Sequence, residues 1–592
     1  MVAAMTTRLA DLEILALDCQ ATGNHPANGH LLEMGWSRFR ALDHQCPASA
    51  DITSCLMRLP ADIEIPTRIS RITGICQDDQ LASVRPRVVW AALVEDARKV
   101  AANRREKICP MVVHYSRFEE PFLKELHRQF GVTSAFPFDI VCSHEIARRL
   151  FPGLPRRGIR AIAGYFGHAV PGLKRCRAHV AATVVIWRNL VTWLADKNNV
   201  FTLEDLRDWL RKTHVPPRPA RVYPMKYDVR LNLPNKPGIY RMLRHNGDVL
   251  YIGKARSLRQ RVNSYFQKGI HHAEHILEML SQAGDLQITL THSALEAAVL
   301  ECDQIKRYSP PYNIALRKRD RNLWFCSRDF RTRALSADEC HRHGPLPSKE
   351  PLVSLSAILE LIQNDRIDTG KIEASAAAVA IGIPGACAPP VEVFQTGLQL
   401  FCHKHRRFLK HKPAWRALMP MGTRLWRESL NGVETATATE GDCGVDESQA
   451  ESNQISQERE WTPESVSRAL ESIIRRCAHW IRRSRWFCLL SESTLAWEMQ
   501  ARPGVKTILV FSKGVTVDRR VTTAATVLPV PPGCETDFRT RQQNFDLKTY
   551  DRLRVVTTEL RRLISENRQV ELRVGSKPIL RPADLSKALR WI

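Results

Sequence analysis

What this sequence has little of narrows its possible classes first. No apolar run reaches the roughly 18 to 20 residues that a membrane-spanning helix needs, and the opening stretch from Met1 to Glu13 lacks the apolar segment of a secretory signal. Acidic residues are in short supply, 62 against 87 Lys and Arg, so the chain of 592 residues carries a formal net charge of +25. A balance of that sign points to a polyanionic partner, and nucleic acid is the candidate. Cysteine is not scarce, but its 16 residues are scattered rather than spaced as a disulfide framework, which implies a reducing, cytoplasmic setting. No internal repeat stands out. The length suggests roughly three to four domains, each able to bury its own core.

What is present is most legible between Pro237 and Asn313. Pro237-Gly238-Ile239-Tyr240 and Val249-Leu250-Tyr251-Ile252-Gly253-Lys254 read as two strands, and Asn246-Gly247 between them is a strong hairpin signal. With a two-residue turn, Tyr240 lies opposite Gly253 and Tyr251 is its diagonal neighbour on the same face; a three-residue loop changes that parity. Gly247 and Gly253 read as answering turn and bulge needs. Ser257 followed by Gln260 predicts a helix from Leu258 to about Phe266, on which Arg261 and Tyr265 stand one turn apart. Ser293 with Glu296 opens another helix, through Glu301 to about Arg307, and Pro310-Pro311 ends it. Glu296 has a duty at the cap. Glu301, mid-helix among Ala297, Ala298, Val299 and Leu300, has none.

These residues resemble a GIY-YIG nuclease domain, more narrowly the N-terminal domain of the UvrC excinuclease subunit and its short relative Cho. Gly238-Ile239-Tyr240, Tyr251-Ile252-Gly253-Lys254, Arg261, Tyr265, Glu301 and Asn313 carry the resemblance in family order. It implies a metal-dependent DNA endonuclease of nucleotide excision repair, which cuts one strand on the 3′ side of a lesion after a damage-recognition complex loads it. Glu301 is then the sole protein ligand of one divalent cation, Mg2+ or Mn2+, and a single carboxylate suits Mg2+, which keeps several waters. Tyr251 is implied as general base on the attacking water, with Tyr240 in hydrogen-bond reach. A phenol with an ordinary pKa near ~10 has to be lowered for that, and Lys254 and Arg261 supply positive charge nearby. Arg261 can also clamp the scissile phosphate. Asn313 is implied to fix the site's geometry through its amide.

Residues 11 to about 197 read as an α/β unit: a buried-strand run at Glu13 to Asp18, a return at Leu31 to Phe39, and a helical Glu145 to Leu150. This unit resembles the DEDDh 3′-5′ exonucleases, the DnaQ-like family with an RNase H-like fold. At most of that family's catalytic positions it departs. Asp18-Cys19-Gln20 stands for the first motif's Asp-x-Glu, Glu119 after Phe118 for the second motif's Asp, and Lys174 and His179 for the third motif's His and Asp. Holding two cations against their mutual repulsion takes several carboxylates. Gln20 is neutral, Lys174 is a cation, and His179 favours softer metals than Mg2+. The unit therefore reads as a degenerate exonuclease kept for DNA binding or docking. Its rival is a remodelled site in which Asp18, Glu119 and His179, joined by His114 and His144, hold one metal.

The fold class expected is α/β and multidomain. An RNase H-like exonuclease fold (1–198) is followed by a short helix capped by Thr202 and a Pro-rich linker (199–230), then by a small α/β GIY-YIG nuclease domain (231–320). After these come a basic Cho/UvrC-like continuation (321–430), an acidic disordered linker (431–462) and a C-terminal mixed α/β region of unassigned chemistry (463–592). Gly344 to Lys349 and the apolar helix after it resemble the stretch following the nuclease in UvrC and Cho, and Gly385-Ala386-Cys387 is at most a remnant of that family's cysteine-rich segment. Cys402, His403, His405 and His411 match no closed four-ligand zinc spacing; their basic run, with Phe408 and Trp415, suits phosphate contact. Thr507 to Phe511 and Arg554 to Thr557 read as strands, and Pro463 as the first residue of a helix. Neither the second nuclease domain of UvrC nor its helix-hairpin-helix pair is recognisable. The partners expected are DNA and damage-recognition proteins of excision repair, and no membrane. A working 3′-5′ exonuclease and a non-catalytic DNA-binding scaffold are the other classes.

Overall fold

The computed structural model describes residues 7–43, 47–104, 106–131, 135–169, 172, 174–215, 220–267, 271–314, 316, 321–363, 373–383, 388–409, 414–431, 461–499, 502–523, 527–566, 569–575 and 579–589. Gly385-Ala386-Cys387, His411 and the acidic stretch 432–460 lie outside them.

The first unit is built on β1 (Ile14–Ala21), β2 (Leu31–Phe39), β3 (Thr53–Leu56), β4 (Cys109–Val113) and β5 (Phe138–Cys142), in the order β3-β2-β1-β4-β5. The first three are antiparallel, whereas β1, β4 and β5 run parallel, which is the RNase H-like arrangement expected. β1 is apolar on both faces because both are covered. Leu15, Leu17 and Cys19 pack with Trp90 and Leu93 of the helix Pro86–Asn103, while Ile14 and Ala16 pack with Val180, Trp187 and Leu190 of the helix Cys176–Asn198. That last helix corrects the expectation that no segment qualifies as a membrane span. Its 23 residues, with mean hydropathy 1.2, are long and apolar enough by length and composition. Its apolar side chains are largely spent on this core.

The helix Leu203–Lys212, expected with the linker, also belongs to the first core. Thr202 caps it, accepting from the Asp205 N–H at 3.1 Å, and Leu206 is buried beside Val200. After the Pro-rich stretch come the short helix Tyr227–Leu231, β6 (Gly238–Leu243), β7 (Val249–Ala255), the helix Leu258–Ser264, β8 (Asp285–Leu290) and the helix Ala294–Tyr308. Their sheet is antiparallel, in the order β7-β6-β8.

β9 (Trp324–Cys326), β10 (Arg333–Ala334) and β11 (His343–Leu346) then make a small sheet. The expected apolar helix follows as Glu350–Gln363, and packs with helices Val391–Lys404, Ala414–Asn431 and Pro463–Leu490 around Leu355, Phe394, Phe401, Leu418 and Ile474. Helix Pro463–Leu490 starts as expected, with Thr462 as cap and Pro463 in the first turn. It ends in the last sheet: β12 (Glu492–Met499), β13 (Arg502–Ser512), β14 (Val515–Thr522) and β15 (Val570–Val574), antiparallel in the order β14-β13-β12-β15. Arg554 to Thr557, expected as a strand, lies inside the helix Leu547–Ser565. Its short apolar run belongs to a longer helical series, Leu553, Val556, Leu560 and Leu563, all buried. The same core takes in Leu295 and Val299 of the helix Ala294–Tyr308, so the C-terminal sheet is seated on the central unit.

Candidate active site

Tyr240 stands opposite Gly253 and Tyr251 opposite Met242, so the two phenols are diagonal neighbours, with ring centroids 6.1 Å apart. The loop that achieves this is not a two-residue turn. The Arg244 N–H donates to the Asp248 carbonyl at 2.9 Å, and Gly247, at φ +90°, closes a three-residue loop between them. That loop would have inverted the facing. Leu250 is an extra residue between the Met242–Tyr251 and Leu243–Val249 pairs, and this bulge restores it. Gly253 is not the bulge. A Cβ built on it would collide with the Tyr240 hydroxyl, so its lack of a side chain is what lets the phenol lie across β7.

Tyr240 is fully buried, and its hydroxyl shares a 2.9 Å hydrogen bond with that of Tyr265. Burial, followed by the neighbouring Tyr265 and Tyr251, pushes the Tyr240 phenol well up, with Arg261 offsetting only part, so it stays neutral. Arg261 and Tyr265 are brought together as the one-turn spacing predicted. Ser257 caps their helix by accepting from the Gln260 N–H at 3.3 Å, and the Arg261 guanidinium lies 5.4 Å from the Tyr265 ring centroid.

β7 is an edge strand, and its outer backbone groups need partners. Asn313 and Glu301 supply them. The buried Asn313 amide accepts from the Ile252 N–H at 2.9 Å and donates to the Ile252 carbonyl at 2.8 Å. Glu301 Oε1 accepts from the Lys254 N–H at 3.0 Å. Glu301 therefore does have a structural contact, contrary to the sequence reading, and it is one that aims the carboxylate along the edge bearing Tyr251 and Lys254. Its helix is anchored as expected: Ser293 accepts from the Glu296 N–H at 3.2 Å and donates to Glu296 Oε2 at 2.8 Å. Among the described residues no three His, Cys, Asp or Glu side chains gather to hold a metal. Glu301 would therefore be the single protein ligand of a cation there, with water and substrate left to complete its shell, a donor set that would fit a hard, hydrated ion such as Mg2+.

A residue that the sequence reading missed completes the site. Glu559, on the helix Leu547–Ser565, accepts from Lys254 Nζ at 2.9 Å and from Arg562 Nε at 2.7 Å. Neighbouring pairs pin the same helix down: Arg256 with Glu566 at 3.0 Å, Lys306 with Asp551 at 2.6 Å and Arg552 with Asp303 at 2.7 Å. No local signal marks Glu559, because what matters about it is a partner far away in the chain.

In the first unit, Asp18 and Gln20 come from β1, Glu119 from the helix Ser116–Phe130, and His179 from the helix Cys176–Asn198. His179 Nδ1 lies 3.1 Å from Asp18 Oδ1, and Gln20 Nε2 donates to Asp18 Oδ2 at 3.5 Å. Burial, and then the charge of Asp18, pushes the Glu119 carboxyl well up, and its Oε2 has no hydrogen-bond partner. Lys174 does not join them; it is exposed beside Gly74. His114 bonds the Ser143 hydroxyl at 3.0 Å and the Arg157 carbonyl at 3.1 Å through its two ring nitrogens, and burial pushes its pKa down to about 3. His144 lies against the His114 ring, with centroids 5.7 Å apart. These histidines serve packing, and the four gathered groups carry too little negative charge for two cations. Near the helical bundle, His405 Nε2 and Lys404 Nζ share Glu471 Oε1 at 2.8 and 2.7 Å, an ion-paired use of that basic run.

Residues 236–314 match the family described as the UvrC-like GIY-YIG domain, so the resemblance read from the central motifs is borne out. The UvrABC system protein C of Clostridium botulinum is 36% identical over 150 residues, 24% of this chain and 24% of that protein. The chain thus spans about a quarter of the length of the curated relative it matches. The magnesium-bound GIY-YIG N-terminal endonuclease domain of UvrC from Thermotoga maritima is 33% identical, with 15% of this chain and all of that one covered and a TM-score of 0.14. The zinc-bound E. coli ExoI–single-stranded DNA complex is 12% identical, covering 39% of this chain and 48% of that one, with a TM-score of 0.27.

Proposed function

We propose that this protein is a metal-dependent DNA endonuclease that incises one strand, as in nucleotide excision repair. The observation that carries this reading is the contact of Glu301 with the Lys254 backbone N–H on the open edge of β7, three residues from Tyr251, whose ring lies beside the Tyr240–Tyr265–Arg261 cluster. A divalent cation, Mg2+ or Mn2+, supplies charge stabilisation at the phosphate. The rest falls to the chain's own residues. Arg261 orients the scissile phosphate with its planar guanidinium. Tyr251 takes the proton from the attacking water. Tyr240, held neutral by burial and bonded to Tyr265, fixes the direction of that phenol cluster. Asn313 holds the Ile252 backbone between Tyr251 and Gly253 and so keeps the base in place.

In the same reading the first unit is a degenerate exonuclease that binds or docks DNA, the partners are DNA and the damage-recognition proteins that load the enzyme, and the setting is cytoplasmic. The net charge of +25 favours a polyanionic substrate. The test uses the full chain with Mg2+ or Mn2+ on supercoiled plasmid and on end-labelled duplex. Nicking that is lost in Glu301→Ala and kept in Asp18→Ala is expected. Stepwise 3′ shortening that disappears only in Asp18→Ala would overturn the proposal in favour of an exonuclease.

A further inference from the structure

A second surface lies on the other flank of the helix Leu258–Ser264. Tyr227 and Arg230 face Arg259, Asn263 and Phe266 across an open groove of about 640 Å³. The Arg230 guanidinium is stacked between two rings, 4.5 Å from the Tyr227 centroid and 4.6 Å from that of Phe266. It is held there because Arg230 donates to Asn263 Oδ1 at 2.9 Å, while Asn263 Nδ2 donates back to the Arg230 carbonyl at 2.9 Å. Tyr223 stands edge-on to Phe266 at 4.9 Å and supports the pile. Tyr227, at the top, is 64% exposed. Among the described residues that line the groove none is acidic.

A strut between the two helices would account for Arg230 and Asn263, but it needs neither the exposed tyrosine ring nor the exposed Arg259. A stacking platform with amide donors and cations at its rim suits a flat aromatic ring joined to an anion. In a duplex the base faces are stacked away, so the occupant is unpaired. Arg259 and Arg261 are two residues apart on a helix of 3.6 residues per turn and so point to opposite flanks. The groove and the phosphate clamp therefore share one helix.

We propose that this groove seats an unpaired nucleotide of the substrate strand, its base on Tyr227 and its phosphate at Arg259, next to the stretch held for cutting by Arg261. The proposal rests on the endonuclease reading, since it extends the path of the same strand.

The test uses full-length Glu301→Ala protein and two probes: an oligonucleotide carrying 5-iodouracil in an unpaired stretch flanked by duplex, and its fully paired counterpart. Irradiation is expected to crosslink the unpaired probe to Tyr227, as read by mass spectrometry. Adding Tyr227→Ala should weaken binding of the unpaired probe about ten-fold and of the paired probe much less, while Tyr227→Phe should keep the affinity. Crosslinks confined to other residues, equal losses for both probes, or no binding of the unpaired probe would each overturn the proposal. Plasmid nicking by the unaltered protein is scored in parallel. A Tyr227 crosslink without nicking supports the groove and counts against incision by the chain acting without its loading proteins; nicking without the crosslink supports incision and overturns the groove.

Discussion

Lys254 and Glu559 stand 305 residues apart in the chain and are joined by an ion pair of 2.9 Å. The lysine belongs to the central motif, and the carboxylate to a helix that the sequence leaves without chemistry. Glu559 is only 8% exposed at its side chain, so its charge acts on Lys254 with little screening.

Glu559→Gln keeps the shape of that contact and removes its charge. Lys254 then presents more of its charge to a phosphate, and KM for the DNA substrate is expected to fall about three- to ten-fold, with kcat nearly constant. The gain should shrink as salt rises. Measuring KM at two ionic strengths checks this, and an unchanged KM at low salt would show that the pair does not hold Lys254 back from substrate.

Gly253→Ala places a methyl group against the Tyr240 hydroxyl. The buried phenol has to move, and the Tyr240–Tyr265 bond goes with it. A loss of about 1–3 kcal/mol is expected from overpacking, with nicking down at least ten-fold. Adding Tyr240→Leu removes the ring atoms Oη, Cζ and Cε1 that collide, so the two losses should be less than additive. Additive losses in urea denaturation would count against the collision as the cause.

Asp551, 2% exposed at its side chain, pairs with Lys306 at 2.6 Å and also with Arg321. Asp551→Ala leaves two partly buried cations facing each other, and about 3–5 kcal/mol should be lost. Because these pairs join the C-terminal helix to the central unit, the urea midpoint reported by the C-terminal sheet should drop furthest. A uniform small shift would mean that the cations find other partners or water.

Glu119 yields a pH test of the first unit. Burial and Asp18 raise its carboxyl pKa in the folded chain. A carboxyl raised in this way contributes its stability fully below its unfolded pKa, and that contribution is lost as pH rises towards the folded value. Glu119→Gln, neutral throughout, should match the unaltered protein in Tm at pH 4 and exceed it by several degrees at pH 8. Equal Tm values at pH 8 would show that Glu119 ionises there without strain.

The central site was legible because its parts are local. Ser257 with Gln260 and Ser293 with Glu296 start helices through contacts three residues long, and one-turn spacing brings Arg261 to Tyr265. Asp18, Gln20, Glu119 and His179 are likewise legible in the sequence as one group and lie together in the fold, whereas Lys174, which the same motif spacing assigns to it, lies apart. Where the reading failed, a longer-range demand had won. Arg554 to Thr557 looks like a strand over four residues, but the core around Phe487 and Tyr550 sees a helical stripe four turns long.

The sequence by itself determined the chemistry available, namely two tyrosines, a lysine, an arginine and a carboxylate in one order, and the backbone turns that bring them near each other. Only the tertiary structure decided how they are held. The bulge at Leu250 corrects the facing that the three-residue loop would have inverted, and Gly253 makes room for a phenol from the next strand. Asn313 and Glu301 satisfy an open sheet edge, and Glu559 reaches Lys254 from another unit. These contacts join groups that are distant in the chain, and their energy comes from burial and pairing that exist only once the units have packed, so no local pattern encodes them.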